Sequence, residues 1–423
     1  MKLRFLPAAL AGCCLLAGCG GACEDAAVRD TMTETAQPQP TAVVTAEKSY
    51  GLHALGETNS RGLYDIFADT DGPWFGTCFS FADTQEYRID APAELPQNGR
   101  PAALLADDEH LYWSWSGLLT DTPVLVVTDL DGNPSGSVTF PQGWFLTGWE
   151  AMAADGPAVY AKGGIISADP HQLDDRRLLR LDTAADTIET VTIWDQYGGS
   201  LLGVWDGKLL LTRRTIDPTC PVAPVYNYYH IENFDELKPY LTETLYALDP
   251  ADGSETVLAE GPVYTFGQTR QLYNDAFWWV DEQDHLLCQP LGESEPQVVA
   301  ELPKAMTISA IYDEDVFLLC FNDSENGPAQ LMVYHFADGT LSESPLRRAR
   351  KYEDSYIDVV CQTAPGEYLI IEGENPVQRT LTGTGGDPYT VTVTEPLYAL
   401  ASRAAILDAS IPTVPVEMGE WRK

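Results

Sequence analysis

The chain has 423 residues, of which 44% are hydrophobic and 21% are charged. This much apolar surface can bury a large core, which excludes a chain that is disordered throughout. Its 63 Asp and Glu stand against 25 Lys and Arg and give a formal net charge of −38. Such a charge repels phosphate backbones and anionic lipid, so it argues against nucleic-acid binding and electrostatic docking on membranes.

Residues 1–18 have the form of a secretory signal. Lys2 and Arg4 precede an apolar stretch that ends in Leu-Ala-Gly-Cys at Cys19 and is too short for a membrane-spanning helix. This ending resembles the bacterial lipobox, which implies that the Cys19 thiol receives a diacylglyceryl group. A second Leu-Ala-Gly-Cys ends at Cys13, but the apolar run before it is short and contains Pro7. We therefore expect a lipid anchor at Cys19 that holds the chain on the extracytoplasmic face of the cell membrane.

Residues 19–40 are small, polar and proline-containing, with no apolar periodicity. This composition is typical of a flexible tether. We expect the tether to lift a folded domain, residues 41–423, off the membrane.

One pattern recurs from residue 62 to residue 408. A short apolar strand is followed by an acidic or glycine-containing turn and a second apolar strand, which is a hairpin signal. The second strands begin near Phe75, Leu111, Val159, Leu209, Phe277, Val316 and Tyr368. Third and fourth strands follow most of these hairpins, so the sequence predicts seven four-stranded antiparallel units of about 50 residues. Helical periodicity is confined to Phe234–Leu241, with Asn233 as the N-cap.

Repeats of this length and type predict an all-β, seven-bladed β-propeller. The arrangement resembles the propeller lipoproteins of the TolB and quinoprotein types across nearly all of the mature chain. The Trp-Asp blade signature, the sialidase-type box and the repeated Trp motif of quinone-binding propellers are missing. The resemblance therefore implies a fold and transfers no functional residue. Two separate β domains are the alternative to a single ring.

Closing the ring needs an outer strand for the last blade. Thr41–Ala46 has the pattern of such a strand, so we expect the N-terminal end to complete that blade. The C-terminal segments Leu397–Leu400 and Ala404–Leu407 compete for the same place.

Motifs for metal binding and catalysis are weak. Asp129–Asn133 begins like a calcium loop, but its twelfth position is Phe140, and Asp69–Gly72 fails in the same way at Ser80. An Asp-Gly pair also suits a type I′ hairpin turn without any metal. The mature cysteines show no Cys-x-x-Cys spacing, and three of them follow pairs of apolar residues as core residues would: Cys288, Cys320 and Cys361. We predict no metal, no cofactor and no identifiable catalytic residue.

The longest insertion, residues 213–241, is the most informative feature for function. It combines cations with aromatic and imidazole rings, which suit sugars, aromatic ligands or a protein groove. The predicted ligand-binding residues are Arg213, Arg214, Tyr226, Tyr228, Tyr229 and His230, joined by Trp115, Trp194 and Tyr197 from other loops. Alternatively, the tyrosine rings cover an apolar blade edge. Weaker candidates at the same end are His171, Arg379 and the loop Thr382–Pro388.

Trp113 and Trp115 are two positions apart in one predicted strand. We expect one ring in the core and the other at a loop.

These observations predict a lipid-anchored extracytoplasmic propeller that acts as a non-enzymatic binding or scaffold module for a glycan, peptide or partner protein. The alternative is a carbohydrate-active enzyme, a glycoside hydrolase or lyase, that uses carboxylates on the ligand face. A third hypothesis is that the propeller is structural and assembles other surface proteins through its rim.

Overall fold

The computed structural model describes residues 54–416, apart from gaps at 69–73, 97–100, 116–121, 148–151, 168–173, 195–196, 228–229, 268, 321–329, 349–354 and 383–387. Residues 41–46, the tether and Cys19 lie outside this part of the chain. No helix among the described residues has the length and apolarity needed to cross a bilayer.

Strands dominate the described chain, and the two α-helices are short. The first three blades contain β1 (Gly62–Ala68), β2 (Trp74–Ser80), β3 (Glu86–Asp90), β4 (Pro101–Ala106), β5 (His110–Trp115), β6 (Val124–Asp129), β7 (Pro134–Thr139), β8 (Trp144–Leu146), β9 (Ala153–Asp155), β10 (Ala158–Ile165), β11 (Asp175–Asp182) and β12 (Thr187–Ile193). The fourth blade and its insertion contain β13 (Gly199–Trp205), β14 (Lys208–Ile216), β15 (Tyr226–Asn227), β16 (His230–Ile231), α1 (Phe234–Leu237), a 3₁₀ turn (Lys238–Tyr240), β17 (Leu241–Leu248) and β18 (Glu255–Pro262). The remaining elements are β19 (Gln271–Tyr273), β20 (Ala276–Val280), β21 (His285–Pro290), β22 (Gln297–Glu301), β23 (Thr307–Ile311), β24 (Asp315–Cys320), β25 (Gln330–His335), β26 (Thr340–Glu343), β27 (Arg347–Arg348), β28 (Ser355–Tyr356), β29 (Asp358–Ala364), β30 (Glu367–Thr382), β31 (Pro388–Ser402), α2 (Arg403–Leu407) and β32 (Val414–Pro415).

Seven antiparallel sheets form a seven-bladed β-propeller, which confirms the predicted fold. Blade 1 contains β1–β3, and blade 2 contains β4–β7. Blade 3 contains β8–β12, where β8 and β9 share the first position beside β10. Blade 4 contains β13, β14, β17 and β18, followed by blade 5 (β19–β22), blade 6 (β23–β26) and blade 7 (β29–β32). Strands A to D denote the four positions of a blade in chain order, with strand A nearest the axis.

Hydrogen bonds identify β1 as strand B, whereas we expected it to be strand A. Asn59 accepts the N–H groups two and three residues later, and its side chain bonds to the hydroxyl of Tyr64. Asp107 makes the same contacts in the A–B turn of blade 2, and its partner there is Tyr112. The turn before β1 is therefore the A–B turn of blade 1.

This correction also makes the repeat more regular. With Leu63 as the start of the first strand B, the interval to Leu111 is 48 residues, equal to the interval from Leu111 to Val159. When Phe75 is taken as the equivalent position in blade 1, the interval to Leu111 is shorter than all the other intervals.

The place of strand A in blade 1 is taken by residues 55–58, which we call the strap. Its backbone bonds to three blades: Leu55 N–H to Met152 O in blade 3 (2.8 Å), Ala106 N–H to Gly56 O in blade 2 (2.7 Å) and Tyr64 N–H to Glu57 O in blade 1 (2.7 Å). The strap therefore links β1, β4 and the residue before β9, in three consecutive blades.

An apolar cluster fills each of the seven interfaces between neighbouring blades. Strand B of a blade contributes side chains to the interfaces on both sides of that blade, because successive side chains point to opposite faces of a sheet. In blade 4, Leu209 and Leu211 pack toward blade 3, whereas Leu210 packs toward blade 5. A continuous apolar run therefore marks a strand that is buried on both faces.

The same alternation corrects the expectation for Trp113 and Trp115. Residues two positions apart share a face, and both rings are buried between blades 1 and 2.

A β-bulge recurs between strands C and D in blades 2 to 5. The extra residue is Val191 in blade 3, Leu258 in blade 4 and Val299 in blade 5, and each packs against an inter-blade core. Bulges also disturb pairing at an exposed edge, which discourages further strands from adding there.

The ring is closed by packing between blades 7 and 1. Phe79 of blade 1 packs with Cys361 and Leu369 of blade 7. The fourth strand of blade 7 is β32, from the C-terminal part of the chain, so the place we expected Thr41–Ala46 to take is filled. The two C-terminal candidates were also wrong in detail, because Leu397–Leu400 lies in strand C and Ala404–Leu407 lies in α2.

Candidate functional site

The topology separates the connections of each blade into two sets. In an antiparallel meander, the A–B and C–D turns lie at one end, which we call the turn end. The B–C loops and the connections between blades lie at the other, the loop end. Acidic residues recur in the turns of the turn end: Asp107–Glu109, Asp129–Asp131, Asp155, Asp182–Asp186, Asp206, Asp249–Asp252, Asp275, Asp313–Glu314 and Asp338. The loop end carries carboxylates as well, as at Asp235–Glu236 and Asp281–Asp284.

Turn chemistry accounts for the calcium-like sequence at Asp129. Its carboxylate accepts the backbone N–H groups of Asp131 and Asn133 and the side-chain amide of Asn133. These hydrogen bonds, that of the Asn133 side chain first, lower the pKa of Asp129. The Asp129 carboxylate therefore stabilises its own turn through hydrogen bonds. No metal-ligand cluster occurs among the described residues.

Cations stacked on aromatic rings mark the loop end of blades 3 to 5. A cation within about 6 Å of a ring centroid is attracted by the ring's negative face. The contacts are Lys162 on Trp194 (5.8 Å), Arg177 on Trp144 (5.5 Å), Arg214 and Lys238 on Tyr264 (4.7 and 5.0 Å), and Arg270 on Trp279 (4.0 Å). Cation–ring contacts therefore characterise the loop end of these three blades.

The insertion between β14 and β17, residues 217–240, forms a lobe at the loop end of blade 4. Its apolar residues share one cluster with blade 4 and its connections, in which Leu237 and Ile231 of the lobe are buried against Tyr197, Leu241 and Val263. The predicted helix is confirmed as α1 followed by the 3₁₀ turn. Asn233 precedes α1, but its side chain bonds to Val225 N–H and Ala223 O instead of capping the helix.

A buried ion pair lies at the base of the lobe. Arg214 Nε is 3.1 Å from Glu243 Oε1, and the side chains are 16% and 2% exposed. The other oxygen of Glu243 accepts the backbone N–H of Phe266 at 3.0 Å. One carboxylate thus connects strand B, strand C and the connection to blade 5, which fixes the lobe's base.

Tyr264 connects the lobe to the same loop. Its ring contacts the guanidinium of Arg214 and the ammonium of Lys238, and its centroid is 5.8 Å from that of Phe234. Its φ of 69° is in the left-handed region, where a bulky side chain is strained. The surrounding hydrogen bonds, from Thr265 N–H to Pro262 O and from Thr269 N–H to Tyr264 O, hold this conformation.

Arg213 and Arg214 do not share a site. They are adjacent in a strand and therefore point to opposite faces of blade 4. Arg213 lies over Tyr246 on the side of blade 3, at 4.6 Å from the ring centroid, and pairs with Glu255 at 2.6 Å.

The structure brings together only part of the predicted site. Tyr197 and Tyr226 both pack in the cluster that joins the lobe to blade 4. Trp194 packs between blades 3 and 4, and Trp115 lies apart, between blades 1 and 2. Trp115, Trp194 and Tyr197 are 2%, 6% and 6% exposed, so their rings serve packing.

Other predicted residues lie outside the described parts of the chain. His230 is in β16, whose backbone pairs with β15, and the two strands are separated by Tyr228 and Tyr229. Tyr228, Tyr229, His171 and residues 383–387 are not among the described residues.

Sequence reasoning missed Glu243, Tyr264 and Lys238. Glu243 interrupts an apolar strand, Leu241–Leu248, and a charged residue in such a strand was a signal for a buried partner. Tyr264 gave no signal, because its contacts depend on the approach of the lobe to a loop from the next blade.

The five cysteines in the described chain are free. Cys320 and Cys361 are buried and Cys288 is half-buried, consistent with packing roles. Burial raises the pKa of Cys288 and of Cys361 to about 12, which keeps both thiols protonated at neutral pH.

No family model matches the chain, and no curated protein matches it. Among solved structures, the chain is similar to TolB from Acinetobacter baumannii, at 11% identity and a TM-score of 0.32, with 86% of this chain and 79% of TolB covered. It is also similar to the β-propeller domain of the trilobed protease from Pyrococcus furiosus, at 10% identity and a TM-score of 0.42, covering 82% and 98% of the two chains. An oligogalacturonate lyase from Vibrio parahaemolyticus has 11% identity and a TM-score of 0.38, with 84% of each chain covered. The chain is thus similar to TolB and to other β-propeller proteins of varied function.

Proposed function

We propose that this protein is a lipid-anchored, extracytoplasmic binding module whose ligand, a glycan, peptide or partner protein, contacts the lobe on blade 4. The observation that carries the proposal is that the lobe packs on the propeller through a shared apolar cluster and is held there by the Arg214–Glu243 pair and Tyr264. A rigid projection loses little conformational entropy when a ligand binds, which favours affinity.

The chemistry of the loop end supports the same proposal. Trp144 and Tyr264 are only partly buried and lie beside cations, a combination that suits sugar rings and the side chains of peptides. Among the described residues, the turns of the opposite end contain no such cation–ring contact, so we place the ligand contact at the loop end.

A glycan and peptide array probed with the purified chain tests this function. We expect a hit that is lost when Tyr228 and Tyr229, which separate the two lobe strands, are replaced together by Ala. The matched control is Tyr87→Ala on blade 1, because Tyr87 is an exposed aromatic (45%) far along the chain from the lobe. Binding that survives the lobe substitutions, or that is lost equally in the control, contradicts the lobe as the contact surface.

The same samples separate binding from catalysis. Any glycan that binds is incubated with the chain, and new reducing ends and unsaturated sugar products are measured over time. Turnover would show that the module is a carbohydrate-active enzyme, whereas an unchanged glycan supports a binding role.

Membrane anchoring is tested by metabolic labelling with a radioactive fatty acid. We expect label in the wild-type protein and none in Cys19→Ser. Label that persists in that variant would move the anchor away from Cys19.

A further inference from the structure

Two strands of blade 7 extend far beyond their neighbours. Residues 374–382 of β30 pair with residues 388–396 of β31, whereas β29 pairs with β30 only as far as Ile371. We call this two-stranded extension the arm. At about 3.4 Å per residue, its nine-residue strand spans about 30 Å.

The base of the arm is held in place by Arg348. Its guanidinium bonds to Asp358 of strand A and, at 2.7 Å, to Glu374 at the start of the arm. The Arg348 side chain is 11% exposed, so this contact is nearly buried. The arm thus leaves the blade in a fixed direction.

The sequence of the outer arm strand is close to a palindrome. Residues 388–396 read Pro-Tyr-Thr-Val-Thr-Val-Thr-Glu-Pro, and the pattern is symmetric about Thr392 except at Tyr389 and Glu395. An antiparallel strand related by a twofold axis through Thr392 places valine opposite valine, threonine opposite threonine and proline opposite proline. Residues 388–394 carry no charge, so two acidic chains can meet there without like charges at the axis.

The outer edge of β31 is the edge suited to such pairing. Among the described strands, only β32 pairs there, at Ala399 and Leu400, and it stops short of the arm. The opposite edge of the arm contains Pro376 within its length, which has no N–H to donate to a further strand, whereas Pro388 and Pro396 lie at the two ends of the outer strand. A two-stranded ribbon is marginally stable alone, so a third and fourth strand stabilise it.

We propose that two copies of this chain associate through their arms, with the β31 strands pairing antiparallel about a twofold axis at Thr392. The product is a four-stranded sheet in the order β30, β31, β31 and β30, and its interface is isologous, as in most homodimers.

Sedimentation velocity of the full chain across a concentration series tests the pairing. We expect a reversible monomer–dimer equilibrium for the wild type. Thr392→Lys and Thr392→Glu each place two like charges opposite one another at the axis, so we expect each to weaken the dimer about fivefold. An equimolar mixture of the two variants places Lys opposite Glu, and we expect it to restore the dimer.

Gln378→Lys is the matched control. Gln378 lies directly across from Thr392 within the arm and bonds to its hydroxyl at 2.7 Å, so both Lys substitutions remove the same hydrogen bond. Only the one at Thr392 lies on the axis, and we expect the control to dimerise normally. A wild type that stays monomeric at every concentration overturns the proposal, as does an equal effect of both Lys variants. A mixture of the Lys and Glu variants that stays monomeric overturns the position of the axis.

Discussion

Arg403 in blade 7 donates from Nε to both carboxylate oxygens of Asp315 in blade 6, at 2.6 and 2.9 Å. Asp315 is completely buried and also bonds to the hydroxyl of Tyr368 and to Nδ1 of His335. Burial by itself lowers the pKa of Arg403, but its hydrogen bonds to Asp315 and Glu314 outweigh this and raise it. The two last blades are therefore joined by a charged network whose centre is out of contact with water.

Removing one charge from this network should be costly. We expect Asp315→Asn to lower the free energy of unfolding by about 3–5 kcal/mol, because Arg403 then loses its buried partner. Urea denaturation measures the change. The control is Arg347→Met, which breaks an exposed pair with Glu343 and should cost at most about 1 kcal/mol. Equal effects of the two substitutions would show that Asp315 does not hold the blades together.

A second stability prediction concerns Leu55 in the strap. Leu55 is 8% exposed and packs in the cluster between blades 2 and 3, so Leu55→Ala should cost about 2–5 kcal/mol through the cavity it leaves. Leu397→Ala is the matched substitution at a residue that is 45% exposed, and it should change stability by no more than about 0.5 kcal/mol. Unfolding in urea compares the two. A mild effect at Leu55 would mean that the strap adds little to the ring.

One substitution is expected to weaken the contacts at the base of the lobe while the lobe itself stays folded. Glu243→Gln keeps the shape of the side chain but leaves Arg214 without a carboxylate, at a cost of about 1–3 kcal/mol. We expect faster amide hydrogen exchange in residues 217–240 and 263–270, with little change in blades 1 and 2. Glu236→Gln, at an exposed position in α1, is the control and should leave exchange unchanged. Uniform acceleration across all blades would contradict a local role for Glu243.

The hydrogen-bonded carboxylate of Asp129 predicts that the stability of the fold depends on pH in a defined direction. Hydrogen bonds lower the folded-state pKa of Asp129 from its usual 3.8, so the unfolded chain binds the proton more tightly. The stabilisation is present above about pH 4 and is lost as the pH falls through the lower, folded-state pKa.

Asp129→Asn should therefore have a lower melting temperature than the wild type at pH 7, and the difference should shrink below pH 4. Thermal melts from pH 7 to pH 3 measure it. Asp131→Asn, in the same turn, is the control, because among the described contacts its carboxylate accepts no hydrogen bond. A difference that stays constant with pH would show that the charge of Asp129 is not what stabilises the turn.

The sequence by itself determined the seven repeats, the acidic turns and the helical segment of the lobe. These features depend on local chemistry: alternation in strands, the φ preferences of Asp and Gly in turns, and the periodicity of apolar residues. The sequence could also have identified β1 as strand B of blade 1, because Leu63–Tyr64 matches Leu111–Tyr112. The strap could not be predicted, because it is too short to show a strand pattern.

Tertiary structure decided which residues surround the candidate site. Burial of Trp115 and Trp194 depends on contacts between blades, and burial of Tyr197 depends on the cluster shared with the lobe. The Glu243–Arg214–Tyr264 cluster joins residues from two strands and one connection. The ring is closed by packing of Phe79 against blade 7, a contact between residues nearly 300 positions apart along the chain. Local patterns specify each blade, but the arrangement of side chains between blades is set only when all seven stack around the axis and bury their apolar faces.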